Sequence, residues 1–96
     1  MPQLFAVIRR RSEAWDFARP MEQQPDWRGH ADFMNALLAE GFVRLGGPLE
    51  GDREVLLIVR AKDAAEIDRR LAADPWTGRL LETLRIAAWT LRLGAL

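Results

Sequence analysis

The chain has 96 residues, with 14 Lys plus Arg against 14 Asp plus Glu, one histidine and no cysteine. That length bounds a single domain. The missing cysteines exclude disulfides and thiolate metal sites, and the even charge balance argues against a nucleic-acid or anionic-membrane partner. No window approaches the ~20 apolar residues that span a bilayer. The opening Met1-Pro2-Gln3-Leu4-Phe5 lacks the charged flank and long apolar run of a secretory leader, and with the missing cysteines a cytoplasmic location is expected.

Leu4 to Ile8 is a short apolar run with β-branched members and predicts a strand. Both faces of that strand are apolar: Leu4, Ala6 and Ile8 on one, Phe5 and Val7 on the other. Residues 10 to 24 read as a loop holding Trp15, Phe17, Pro20 and Met21. Loops that long in small domains are commonly lids or mobile segments. A helix is predicted from about Pro25 to Glu40, because proline suits the first helical position and Gly41 suits a left-handed stop. Trp27, His30, Ala31, Met34, Leu37 and Leu38 recur at helical spacing, which puts His30 on the inward stripe.

Phe42 to Leu45 predicts a second strand that runs into Gly46-Gly47-Pro48. Gly51-Asp52 turns the chain, and Val55 to Val59 is a third strand, so the two form an antiparallel hairpin. Asp63 caps a second helix, with Glu66 completing a capping box, Ile67 and Leu71 facing inward, and Arg69 and Arg70 facing water. Asp74-Pro75 ends that helix, and a last strand spans about Arg85 to Leu93. The order β-α-β-β-α-β predicts an α+β, ferredoxin-like domain with two helices on one face of a four-stranded antiparallel sheet. A sheet apolar on both faces needs a cover on the second, and a C₂ homodimer pairing the open faces supplies one.

Acid–base chemistry in this chain would run through His30. It is either a general base oriented by a carboxylate or a helix histidine satisfied by the sheet or by water. With no second histidine a metal site is not expected, and neither is a cofactor. Asp74 is an N-cap for the turn through Thr77, a carboxylate that orients the imidazole, or both. Gly47 and Pro48 either let a ligand approach the backbone or mark a bent strand end at a sheet edge. Trp15, Trp27, Trp76, Trp89, Phe5 and Phe42 supply either pocket walls or dimer core. Trp27 and Trp76, close in sequence to His30 and Asp74, are the pocket candidates, with Met34 on the His30 stripe; Trp89 and Phe5 are assigned to a dimer core. Arg9 to Arg11 either receive an anion at the pocket mouth, through Arg9 first, or form a solvated strand end, the commoner outcome.

Trp27-Arg28-Gly29-His30, Phe33-Met34, Leu37-Leu38, Gly41-Phe42, Gly46-Gly47-Pro48-Leu49, Asp74-Pro75-Trp76 and Trp89 together resemble the YCII-related family. The resemblance implies a dimeric α/β-barrel of two ferredoxin-like subunits, each with a pocket. It implies that His30 and Asp74 match the family's active-site pair; Trp76 stands where the family usually has Phe or Tyr. The function expected is that of a small dimeric enzyme without a cofactor. It would carry out isomerisation, elimination or dehydrochlorination on a small cyclic or aromatic molecule. The alternative is a non-catalytic ligand-binding or protein-interaction module of the same fold.

Overall fold

The computed structural model describes residues 2–96. It is an α+β domain with strands β1 (Gln3–Arg11), β2 (Val43–Pro48), β3 (Glu54–Ala61) and β4 (Leu81–Ala88), and helices α1 (Trp27–Glu40) and α2 (Ala64–Leu71). The sheet is antiparallel throughout in the order β2-β3-β1-β4, which is compatible with the ferredoxin-like arrangement. No helix among the described residues is long and apolar enough to cross a membrane.

Strand parity divides the sheet. Phe5 and Val7 of β1, and Leu57, Val59 and Ala61 of β3, join Leu37, Ile67 and Leu71 of the helices in one buried cluster. Phe5, expected in a dimer core, therefore belongs to the chain's own core. The intervening residues, Leu4, Ala6 and Ile8 of β1 with Leu56 and Ile58 of β3, lie on the opposite face. Leu45 and Ala87 join them by register.

β1 is longer than its apolar run suggests. Arg9 and Arg10 pair with Val55 and Glu54 of β3, and Arg9 to Arg11 pair with Thr83, Glu82 and Leu81 of β4. Arg10 also forms an ion pair with Glu82 directly across the ladder. β4 correspondingly starts and ends earlier than expected. Its register along β1 stops at Phe5 opposite Ala88, and the Trp89 N–H bond to the Leu4 carbonyl at 2.9 Å closes the ladder. Trp89 lies outside the strand and is exposed. α1 starts two residues later than Pro25, because Asp26 sits in the left-handed region at φ 57° and interrupts the helical path. Its end is as expected, with Gly41 at φ 81° donating to the carbonyls of Leu37 and Leu38.

The capping box of α2 forms. Asp63 accepts from the Glu66 N–H at 2.8 Å, and the Glu66 carboxylate reaches back to the Lys62 N–H at 2.7 Å. Replacing Asp63 with Ala is expected to cost about 1 kcal/mol of stability. A lower urea midpoint at unchanged slope is the measurement that checks it.

Candidate active site

Three separate parts of the chain meet at Asp74. The turn after α2 holds the carboxylate, because Asp74 caps its own turn by accepting the Trp76 N–H at 3.0 Å. α1 delivers His30, whose Nδ1 lies 2.9 and 3.0 Å from the two carboxylate oxygens. β1 delivers Arg9, which donates from one terminal nitrogen to Asp74 Oδ2 at 2.9 Å and from the other to the Thr77 hydroxyl. Thr77 in turn donates to the Leu71 carbonyl at 2.7 Å, tying the network to the end of α2.

The group is dry, with Arg9 and Asp74 only 1 % and 2 % exposed. The solvated strand end expected for Arg9 is thus corrected. Arg9 continues the inward parity of Phe5 and Val7, and its charge is met by Asp74 and not by water. Arg10, on the opposite parity, is exposed.

Burial works to raise the pKa of Asp74. Hydrogen bonds from His30, from the Trp76 N–H and from Arg9 outweigh it, so the carboxyl sits below its ordinary value. An ionised carboxylate only accepts, so His30 Nδ1 carries the proton it shares with Asp74. In the neutral ring Nε2 is then the free lone pair. No described residue bonds to Nε2.

The ring is fixed from the side as well. The Trp76 indole stacks on it with centroids 3.9 Å apart and planes 10° apart. Trp76 is held by its Nε1–H, which donates to the Pro25 carbonyl at 2.6 Å. Trp15 meets the other side of this arrangement edge-on to Trp76 at 5.2 Å, and Trp27 is tilted against both Trp76 and His30.

His30 opens onto a cavity of about 500 Å³ between α1 and the helix-side face of the sheet. Of the expected ligand contacts, Arg9, Trp27, Met34, Gly47, Pro48 and Trp76 all line it, whereas Asp74 stands behind the imidazole. Gly46 and Gly47 belong to β2, an edge strand, and at Gly47 the absence of a side chain leaves the wall open. At Gly46 a Cβ would come within 2.7 Å of Leu57 Cδ2. Leu38, expected on the inward stripe, is 54 % exposed and borders the cavity at its rim. Trp89 and Phe42 are not part of the wall.

Gln24 was not singled out by the sequence reading, which named Trp15 as a candidate for wall or dimer core, Arg11 only within the arginine run and Thr77 only as part of a turn. The segment between β1 and α1 is pinned and not a free lid. The buried Gln24 side chain bonds the Asp16 N–H and the carbonyls of Asp16 and Arg19, and Trp15 is inserted beside Trp76.

No protein-family model, curated protein or solved structure matches the chain.

Because the depressed folded-state value of Asp74 stabilises the fold above the ordinary carboxylate range, that contribution is lost as pH falls through it. Asp74→Asn removes the pH-linked term and leaves Arg9 buried without a counter-charge, at a cost of about 3 kcal/mol. Urea midpoints measured from pH 7 down to about pH 3 should fall steeply for the native chain. The variant should start lower and show a flatter decline.

Proposed function

We propose that the protein is an acid–base enzyme in which His30 Nε2 takes a proton from carbon or oxygen of a small ring compound, and Asp74 orients the imidazole and stabilises its charged form. The observation that carries this reading is the pairing of a carboxylate-held imidazole with an open cavity. Nδ1 is fixed 2.9 Å from Asp74, and the same ring lines a chamber of about 500 Å³. A histidine placed only for packing would have both nitrogens satisfied. The volume suits a small organic molecule, and the walls from Trp15, Trp27, Trp76, Met34 and Leu57 suit an apolar ring. Isomerisation, elimination and dehydrochlorination next to a carbonyl or ring hydroxyl all begin with such a proton transfer, which a positioned imidazole can perform.

The YCII-related resemblance supports the same pair, His30 and Asp74, and with it a dimeric α/β-barrel. The sheet face with half-buried Ala6, Ile8 and Leu56 and the 54 % exposed Leu45, beside the already buried Leu4 and Ile58, is the surface that a second copy would cover. The competing reading is a binding module in which the same cavity takes a ligand without chemistry.

Deuterium exchange into a panel of cyclic ketones and hydroxylated aromatics, followed by proton NMR, separates the two readings. The native protein is expected to accelerate exchange at one carbon, and His30→Asn should lose at least about a hundredfold of that rate with its fold intact. Equal rates in the two proteins would reject the base assignment. Sedimentation should give twice the 11.0 kDa chain mass, and a monomer at high concentration would reject the barrel.

A further inference from the structure

Charge is distributed unevenly around the cavity. Arg9 and Arg11 line it together with His30, and no acidic side chain among the described residues does. Arg9 is neutralised by Asp74, and Arg10 on the outer face by Glu82. Arg11 has no carboxylate within 4.0 Å among the described residues, so one positive charge on the wall is left uncompensated.

The fixing of Arg11 is specific. Its NH1 donates to the Asp52 carbonyl at 3.0 Å, in the left-handed turn between β2 and β3. Its guanidinium carbon lies 4.2 Å over the Trp15 ring. Its Nε is buried and has no partner, as is also true of Arg9 Nε. NH1 is thus anchored and Nε is closed off by packing, while NH2 has no hydrogen-bond partner among the described residues and is the donor left for a ligand oxygen. Arg11 also stands at the end of an aromatic ladder. Trp15 carries it, Trp76 meets Trp15 edge-on, and His30 stacks on Trp76.

We propose that the cavity takes an aromatic or cyclic monocarboxylate, with Arg11 holding the carboxylate at one end and the ring lying on the tryptophans toward His30. The proposal rests on the acid–base reading only for what happens at the far end; the anion subsite itself does not need turnover. One uncompensated charge and one unpartnered terminal donor select a monoanion.

Benzoate and its neutral isostere benzamide test this directly, read from the indole Nε1–H resonances of Trp15, Trp27 and Trp76 in the intact protein. Benzoate is expected to bind roughly tenfold more tightly than benzamide. Arg11→Met should erase that preference, Arg11→Lys should retain part of it, and His30→Asn should keep it whole. Equal binding of the two probes by the native protein overturns the proposal without any variant, and so does an undiminished preference in a folded Arg11→Met. Selective benzoate binding with no proton exchange on any substrate would reject the acid–base reading alone. Exchange activity with no preference for the carboxylate would reject the anion subsite alone.

Discussion

The structure is organised around one buried carboxylate. Asp74 accepts from a helix side chain, a strand side chain and its own turn, so three elements distant in sequence are fixed to a single group. A buried ion pair adds little net stability compared with an apolar replacement of the same shape, but losing one partner is costly. The consequence is positional: Arg9 cannot lie in the core unless Asp74 is beside it, and Asp74 cannot lie there without donors. That mutual requirement places the turn after α2 against β1, and the imidazole of α1 is held where the two meet.

Around this charged centre the aromatic residues do a different job. Trp76 occupies one side of His30, Trp15 closes on Trp76, and the Pro25 carbonyl fixes the indole nitrogen. Gln24 fastens the segment that carries Trp15, which turns a long connection into a wall. Polar satisfaction and apolar packing thus reinforce each other: the hydrogen bonds set the orientation of the rings, and the rings exclude water from the hydrogen bonds.

Much of this was legible from residue order. The helix and strand sequence, the Gly41 stop, the Asp63 cap and the inward placement of His30 all follow from local periodicity and capping chemistry. The meeting of His30 and Asp74, 44 positions apart, was suggested by resemblance and by no local pattern. Arg9 was misjudged because a run of three arginines resembles a solvated end. The parity that joins it to Phe5 and Val7 outweighs composition once Asp74 is present to meet the charge. The end of β4 depends on where β1 begins, a pairing constraint that no local pattern carries. Gln24 escaped notice, and Trp15 stayed undecided between wall and dimer core, because loop residues have no periodicity to place them.

The stacking of Trp76 on one side of His30, with Nδ1 tethered, has a stereochemical consequence. The imidazole cannot turn over, so its lone pair keeps one bearing relative to the indoles and to Arg11. A guest pinned at two points and laid flat along a third surface is defined in handedness. On the proposed hold between Arg11 and the imidazole, a chiral guest and its mirror image could not both bring the same atom to that lone pair, so one enantiomer would be favoured.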